Sequence, residues 1–257
     1  MILRRLADAI RQQNWFTVCV ELFIVIIGVF MGLQAQNWNQ ARIERNTAIG
    51  YHGQLVEELR RNAENLGARR DYYLQLREHG QAALDSLRAD QATPGAKFLI
   101  DSYRATFRWP VQIDRAVYDE VLRAGVLSKI SNIDARNRLT NFYVTFEAVL
   151  INIKDDPSYR NLVRSYMPVS AQRVIESDCQ EIVSTASNGK ISLFLPECEP
   201  QWGDALVKSA VESLLAAPGL TETLNRRMSN IDSKLIIVQR NMDRSRDLAE
   251  YFESTGP

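Results

Sequence analysis

The sequence predicts a mainly α-helical protein: one N-terminal transmembrane helix, then an antiparallel helical bundle with one small β-hairpin insertion. Three features predict this fold class: an apolar run near the N-terminus, two long segments with apolar residues at helical spacing, and two β-rich arms around an Asn-Gly dipeptide. The predicted segments are a cytoplasmic tail at 1–15, a transmembrane helix at 16–38, a juxtamembrane connector at 39–53 and a bundle domain at 54–257, with the hairpin at about 179–198.

Charge and composition exclude some classes of protein. The chain has 257 residues, with 31 Lys+Arg and 31 Asp+Glu, so its formal net charge is zero. A nucleic-acid-binding protein usually has a basic excess, and we therefore expect no nucleic-acid partner. Hydrophobic residues make up 46% and charged residues 24%, as in folded domains. The chain beyond the span is long enough for one sizeable core or two small ones.

The apolar run extends from Phe16 to Leu33 and is interrupted only by Thr17, Cys19 and Glu21. Its length is sufficient to cross the hydrocarbon core of a bilayer. A cleaved signal peptide is the competing interpretation, because arginines precede the run. The length of the run, its late start and the lack of an Ala-x-Ala site after it favour a retained anchor.

Tryptophans bracket this run at Trp15 and Trp38. At ~1.5 Å of rise per residue, the two indoles lie ~34 Å apart along a helix, close to the thickness of the hydrocarbon core. Tryptophan is enriched at both membrane interfaces. We therefore predict that both residues are interfacial anchors and that the lipid bilayer is a partner.

The flanking charges predict the orientation of the span. Three arginines and one aspartate precede Trp15, whereas two arginines and one glutamate follow closely after Trp38. The positive-inside rule then favours a cytoplasmic N-terminus. The predicted location is the bacterial inner membrane, crossed once, with the bulk of the chain in the periplasm. A tail of this size is too short for a signalling domain, so any inward signal needs another subunit.

One face of the span combines a carboxylate with small residues. Steps of three and four place Glu21, Gly28, Gly32 and Ala35 on the same side of a helix. Small residues allow two helices to approach closely, and a polar group can hydrogen-bond across the contact. We predict that these four residues contact a second copy or another membrane subunit. The alternative is that Glu21, ~9 Å inside Trp15, simply reaches the headgroups.

Two segments of the chain carry a family resemblance. The first segment has Glu21, then Gly-Val, Gly-Leu-Gln and Asn-Trp-Asn-Gln, ending at Gln40. It is similar to the pattern of Glu, Gly-Ile, Ala-Leu-Gln and Asn-Trp-Asn-Glu in a family of uncharacterised bacterial single-pass membrane proteins, catalogued as a domain of unknown function. The second segment is "YDEVLRAGVLSKISNIDARNRLTNFY", from Tyr118 to Tyr143.

The sequence departs from the family pattern at Gly32, Gln40 and Ala135, where Ala, Glu and Leu are usual. The resemblance covers the span and the middle of the chain. It implies a membrane-anchored helical protein and brings no known activity.

Apolar spacing predicts the helices of the bundle. From about Gln54 to Arg88, seven of ten positions at 4-3 spacing are apolar. Three shorter helices follow: one ending near Trp109, one from Asp114 to Ala124 with Gly125 as its C-terminal cap, and one from Arg136 to Lys154 behind a capping box of Ser131 and Asp134.

The last helix has the clearest pattern in the chain. Between Leu224 and Phe252, the positions at strict 4-3 spacing are apolar except Ser245. Such a seam is typical of a bundle helix or a coiled coil. The first and last predicted helices are similar in length, so we expect them to pack side by side.

The segment "CQEIVSTASNGKISLFLPEC" predicts a hairpin and a disulfide. Asn188-Gly189 is a strong two-residue turn signal. Pairing across that turn places Cys179 directly opposite Cys198, within disulfide reach. Pro196 is the weak point of this register, and two buried free thiols are the alternative. A disulfide would indicate an oxidising compartment and would support the periplasmic location.

No pattern in the sequence predicts catalysis, a cofactor or a metal. His52 and His79 lack ligand neighbours at zinc-site spacing, and there is no phosphate-binding loop or Gly-x-Ser-x-Gly elbow. Asp155 and Asp156 before Pro157 are typical of a capping turn, although paired acids are possible. We therefore expect a protein that is not an enzyme and has no catalytic, cofactor or metal residues.

Two kinds of function fit these patterns. The first is a periplasmic interaction or scaffold protein that associates through its span and bundle. The second is a periplasmic sensing or ligand-binding domain that signals through a partner membrane subunit. The aromatic residues in the middle of the chain are expected to form core. The alternative is a pocket among helices, with polar contacts from Arg108, Arg115 or Arg136.

Overall fold

A computed structural model describes residues 15–89, 94–130, 132–152, 156–186 and 191–256. In this part of the chain there are eight α-helices and one antiparallel pair of strands, so the predicted fold class is confirmed. The chain forms two compact units, Met1–Tyr51 and His52–Pro257, and each unit is considered separately below.

The elements follow one another in this order: α1 Trp15–Arg88, α2 Ala96–Arg104, α3 Ala116–Arg123, a 3₁₀ turn Val126–Lys129, α4 Ile133–Asn152, α5 Ser158–Tyr166, α6 Val169–Asp178, β1 Ile182–Thr185, β2 Ile191–Phe194, α7 Asp204–Leu215 and α8 Leu220–Thr255.

Helix α1 continues through the predicted connector, so residues 39–53 are helical. The reason is local, because this stretch contains no proline and consists largely of residues that favour or tolerate a helix. Its side chains also bond along the helix, with Gln40 Nε2 donating to Glu44 Oε1 at 3.2 Å and Thr47 Oγ1 to the carbonyl of Ile43 at 2.9 Å. The connector is therefore not a break in secondary structure.

In the first unit, the described side chains from Cys19 to Ile43 are all exposed. An 18-residue window in this part of α1 has a mean hydropathy of 1.9 with none of its residues buried. By length and composition, α1 is able to cross a membrane near the N-terminus of the chain.

In the second unit, α1 and α8 pack antiparallel, as predicted. Ser245 Oγ donates to the carbonyl of Leu59 at 2.8 Å, and Arg77 Nε lies 2.6 Å from Asp232 Oδ1. Residue numbers increase along α1 while those of the contacted residues on α8 decrease, so the two helices run in opposite directions. The apolar seam of α8 is buried except for the half-buried Leu235, and α8 also contacts α4 and α5. It is therefore a bundle helix, while coiled-coil pairing stays a prediction.

Most aromatic residues in the middle of the chain belong to the core, which confirms that prediction for them. The rings of Tyr118 and Tyr143 are stacked, with centroids 4.1 Å apart. Tyr166 differs, since it is 38% exposed. The fully buried aromatic residues here are Tyr118, Phe142, Tyr143, Phe146 and Tyr159.

The helix predicted to end near Trp109 ends at Arg104. The guanidinium of Arg227, on α8, explains the early end because it donates to the carbonyls of Ala105 and Phe107. These carbonyls are bound by a side chain instead of continuing the helical ladder. The chain then runs without regular structure to α3.

Two predicted caps have different outcomes. Gly125 follows α3 with a φ of 68°, which confirms a left-handed position that favours glycine. The predicted capping box involves Ser131, which lies outside the described residues, so it stays a prediction. The next residue, Asn132, accepts through Oδ1 from the N–H groups of Asp134 and Ala135 at 3.0 and 3.1 Å, and α4 begins at Ile133. An Asn side chain therefore caps this helix.

The turn at Asp156 behaves as predicted. Its Oδ1 accepts the N–H of Ser158 at 2.9 Å, so this aspartate caps α5. The neighbouring Asp155 lies outside the described residues.

The hairpin forms, but its predicted register is wrong by one residue. Ile182 pairs with Phe194 and Thr185 with Ile191, whereas closure on a two-residue turn would shift each partner by one. The predicted arms run from Glu181 to Ser187 and from Lys190 to Leu195, whereas the strands are Ile182–Thr185 and Ile191–Phe194. Asn188 and Gly189 lie outside the described residues. Successive side chains of a strand point to opposite faces of the sheet. A shift of one residue therefore places the side chains of one strand on the face opposite to the predicted one.

Candidate functional site

The predicted membrane-contact residues lie on an open helix face. Glu21, Gly28, Gly32 and Ala35 are all exposed in α1. A Cβ atom placed on either glycine would meet no other atom within 4 Å. Within the described residues, nothing covers this stripe, which leaves it accessible to lipid or to a second helix.

Of the two predicted interfacial anchors, the structure describes the side chain of Trp38 but not that of Trp15. Trp38 is 70% exposed, and the guanidinium carbon of Arg42 lies 5.9 Å from its ring centroid. Such a pair is a cation–π contact one helical turn beyond the apolar run. Trp15 begins α1, but its side chain lies outside the described part of the chain. The role of both as anchors stays a prediction.

The predicted cysteine pair is brought together. The sulfur atoms of Cys179 and Cys198 lie at disulfide distance, with Cα atoms 5.4 Å apart. Cys179 follows α6 and Cys198 lies beyond β2, so both are outside the strand ladder. The pairing is therefore correct although the register that predicted it is wrong. The remaining cysteine, Cys19, is exposed in the span.

A cleft of about 730 Å³ opens in the second unit between α1, α2 and the segment after β2. This volume is in the range of small-molecule sites. The apolar lining of the cleft comes from all three elements and consists of Ala82, Ala96, Ile100, Phe194, Leu195, Pro200 and Trp202.

A buried carboxylate forms the floor of the cleft. Asp101 is 1% exposed, and its Oδ1 lies 2.7 Å from His79 Nδ1. An ionised carboxylate only accepts hydrogen bonds, so Nδ1 carries the hydrogen. On the outer side, Lys97 Nζ lies 3.3 Å from the second carboxylate oxygen of Asp101. Asp101 is therefore bonded from both sides.

The guanidinium of Arg104 lies beside this pair and is only partly bonded. Arg104 is 2% exposed; its Nη1 lies 3.4 Å from His79 Nε2, and its Nη2 lies 3.4 Å from the carbonyl oxygen of Cys179. Its Nε has no hydrogen-bond partner within the described residues. Because a guanidinium cannot accept, His79 Nε2 accepts and the ring is neutral in this arrangement.

Burial and charge act oppositely on Arg104. Burial lowers the pKa of its guanidinium, while the nearby carboxylate of Asp101 raises it. Arginine nonetheless keeps its charge in proteins. The site therefore holds a buried cation with an unsatisfied N–H donor, which costs free energy unless an acceptor reaches it.

The rim of the cleft is acidic. Glu78, Glu197 and Glu199 are exposed around the opening, together with Lys97. The disulfide ties the segment that carries two of these glutamates to the end of α6. The N–H of Leu195 also donates to Gln75 Oε1 on α1 at 2.8 Å. These two links hold one wall of the cleft in place.

Arg108, Arg115 and Arg136, the polar groups of the alternative pocket considered from the sequence, do not line this cleft. Arg115 instead pairs with Asp119 at 2.9 Å and with Glu147. Among the described residues, no three His, Cys, Asp or Glu side chains are grouped so as to hold a metal ion.

Sequence reasoning missed the residues at the floor of the cleft. A signal for part of it was present, since Lys97, Asp101 and Arg104 are spaced four and three apart and share a face of α2. Their proximity to His79 depends on the packing of α1 against α2, which no local pattern shows.

Comparison of the chain with protein families, curated proteins and solved structures finds no match. The family resemblance of the sequence therefore stays a prediction, and the functional argument depends on the residues described above.

Proposed function

We propose that this protein is a membrane-anchored interaction protein of the bacterial inner membrane, with its helical bundle in the periplasm. The stripe of Glu21, Gly28, Gly32 and Ala35 associates with a second copy or with another membrane subunit. The observation that carries the proposal is this open stripe on a helix that is long and apolar enough to cross a membrane.

The chemistry of the stripe supports helix association. Lipid tails are as apolar as leucine, so helices in a bilayer associate through close packing and hydrogen bonds. Gly28 and Gly32 lie one turn apart and offer a flat surface for a neighbouring backbone. The carboxyl of Glu21 is costly in lipid unless it has a partner, and the same face offers the place for one.

The cysteine pair supports the periplasmic location. Disulfides persist in oxidising compartments and are rare in the cytosol. Cys179 and Cys198 belong to the second unit, so that unit would lie in the periplasm. The arginine excess before the span favours a cytoplasmic N-terminus, in agreement with this orientation.

The test is a bacterial two-hybrid assay with the full chain fused at its N-terminus. Replacing Gly28→Leu and Gly32→Leu together should reduce self-association and association with co-purifying membrane subunits, because leucine side chains hold the backbones apart. The matched control is Ile26→Leu with Phe30→Leu, which changes the opposite face of the same helix. Equal association of the wild type and the glycine variant would contradict the proposal.

Variants of Glu21 provide a second test in the same two-hybrid assay. Glu21→Gln keeps hydrogen-bonding capacity, whereas Glu21→Leu removes it. The Gln variant should therefore associate more strongly than the Leu variant. If both behave as the wild type does, the carboxyl only reaches the headgroups.

A second function, a sensing or ligand-binding domain that acts through a partner subunit, is favoured by the cleft. Its specific support is the buried, unsatisfied N–H of Arg104, a residue that lines the cleft of about 730 Å³. Thermal unfolding of the full-length protein in nanodiscs against a metabolite panel tests this role. A shift of several degrees with a saturable dose response is expected, and the lack of any shift contradicts it.

A further inference from the structure

We propose that the cleft between α1, α2 and the segment after β2 binds a zwitterionic amino acid or short peptide with an apolar side chain. The ligand carboxylate would bind Arg104, and its ammonium group would face the glutamates of the rim. This inference rests on the ligand-binding role given above as the second function, and names the class of ligand.

The guanidinium of Arg104 is the anion-binding group. It has five N–H donors, yet its contacts with His79 and with the carbonyl of Cys179 are both long, at 3.4 Å. Its Nε has no partner, although the side chain is 2% exposed. A planar carboxylate matches the fork of a guanidinium and forms short, charge-assisted hydrogen bonds with it. A ligand carboxylate would therefore satisfy the donor that the protein leaves open.

Two anions lie near Arg104, since burial lowers the pKa of its guanidinium while the carboxylates of Asp101 and Glu181 both raise it. Neither of them bonds to its Nε, which has no partner within the described residues. Lys97 is 82% exposed, so solvent screens its charge. A ligand carboxylate would therefore be attracted by the unpartnered donor of Arg104 and not by an excess of positive charge at the floor.

The charge at the rim calls for a cation on the same ligand. Glu78, Glu197 and Glu199 surround the opening and are exposed. A ligand with only a carboxylate would be repelled by them on its way to Arg104. An ammonium group a few ångströms from the carboxylate, as in an amino acid or peptide, reverses that repulsion. Water screens exposed charges, so the rim should contribute less to affinity than the buried floor.

The apolar lining of the cleft would contact the side chain of the ligand. Ile100, Phe194 and Trp202 line the cleft beside the polar floor. Apolar and aromatic walls supply the affinity of most small-molecule sites, and a few polar groups set the orientation. The volume of about 730 Å³ accommodates more than a single residue. A dipeptide with apolar side chains is therefore a suitable probe.

The test is isothermal titration of the full-length protein in nanodiscs with leucyl-phenylalanine. Its C-terminal amide lacks the carboxylate, and its N-acetyl form lacks the ammonium group. The amide should bind about tenfold more weakly or worse, because a charge-assisted bond at a buried donor is lost. The N-acetyl form should bind about two- to fivefold more weakly, because the rim contacts are exposed.

Variants of the protein show which residues cause these differences in affinity. Arg104→Gln should weaken the binding of leucyl-phenylalanine about tenfold or more, and the variant should no longer bind the dipeptide more tightly than its amide. Because this residue is buried, circular dichroism must show that its variant is folded, and the rim is tested independently. Glu197→Gln with Glu199→Gln should remove the preference over the N-acetyl form. The matched control is Glu250→Gln, at an exposed position of α8, which should bind as the wild type does.

The possible failures are distinguishable. Equal binding of leucyl-phenylalanine and its amide overturns zwitterion recognition but leaves a ligand-binding cleft. Tighter binding of spermidine than of the dipeptide identifies a cationic ligand and also overturns the inference. If no probe binds saturably but the metabolite panel gives a thermal shift, the inference fails and the ligand-binding role stands. If neither experiment shows binding, both fail. The association of the span is measured in a separate assay and is unaffected by any of these results.

Discussion

The hydroxyl of Tyr143 donates a hydrogen bond of 2.6 Å to the carboxylate of Glu58, a side chain of α1 with no exposed surface. The same carboxylate accepts the backbone N–H groups of Val117 and Tyr118 at 2.6 and 3.2 Å. Glu58 thus caps α3 from another helix and ties α1, α3 and α4 together. Burial raises the pKa of Glu58, and its three hydrogen bonds act in the opposite direction.

We expect Glu58→Gln to lower the free energy of unfolding by about 1–3 kcal/mol at neutral pH. The amide nitrogen of a glutamine is a donor, and one side of it would face a backbone N–H that needs an acceptor. Urea unfolding of the full-length protein, followed by circular dichroism, measures this loss. The control Tyr143→Phe keeps the ring and removes one donor, so it should cost less. Unchanged stability in the Gln variant would show that the carboxylate cap is unimportant.

The effect of Glu58 on stability should also depend on pH. Its pKa in the folded state is raised above the ordinary value of 4.5, so the folded state binds its proton more tightly than the unfolded state. The resulting stabilisation is present below pH 4.5 and is lost as the pH rises through the folded pKa. The stability of the wild type relative to Glu58→Gln should therefore decrease as the pH rises from 4.5 towards neutral. Unfolding curves of both proteins across this range measure the difference, and an increase with pH would contradict the assignment.

Gly80 and Gly53 provide a matched pair within α1. A Cβ on Gly80 would overlap Met228 Sδ on α8, whereas a Cβ on Gly53 would meet no atom within 4 Å. Gly53→Ala should raise the free energy of unfolding by about 0.5–1 kcal/mol, because alanine favours a helix. The free energy of unfolding of Gly80→Ala should be about 1–3 kcal/mol lower than that of Gly53→Ala, because Met228 must move in a packed core. Equal stability of the two variants would mean that α1 and α8 do not approach this closely.

Removal of the disulfide should destabilise the second unit. Replacing Cys179→Ser and Cys198→Ser opens a loop with a sequence separation of 19, and the expected loss is about 3 kcal/mol. Thermal unfolding with and without reductant measures it, since the reductant should affect the wild type and not the double variant. Cys19→Ser is the control and should unfold as the wild type does.

Regular helical spacing made the long helices predictable. The seam from Leu224 to Phe252 gives α8, and the pattern after Gln54 gives the second part of α1. Shorter features depended on partners far away in the sequence. The helix that ends at Arg104 does so because Arg227 binds the carbonyls that follow, which no local signal reveals.

The hairpin shows how a correct contact can follow from an incorrect register. The Asn-Gly signal indicates a turn but does not determine how many residues the loop contains. The cysteine pairing was predicted correctly despite this error, because Cys179 and Cys198 lie outside the strand ladder. The cleft was harder to foresee, since His79 and Asp101 lie on different helices and charged residues usually indicate a solvated face.

The location of the second unit in an oxidising compartment is most directly tested by thiol labelling of intact cells. Cells expressing the full-length protein are quenched in acid, denatured and labelled with and without prior reduction, and each cysteine is read by peptide mass spectrometry. We predict that Cys19 labels in both samples, whereas Cys179 and Cys198 label only after reduction. Labelling of Cys179 and Cys198 without reductant would contradict the disulfide in cells and, with it, the periplasmic location of the bundle.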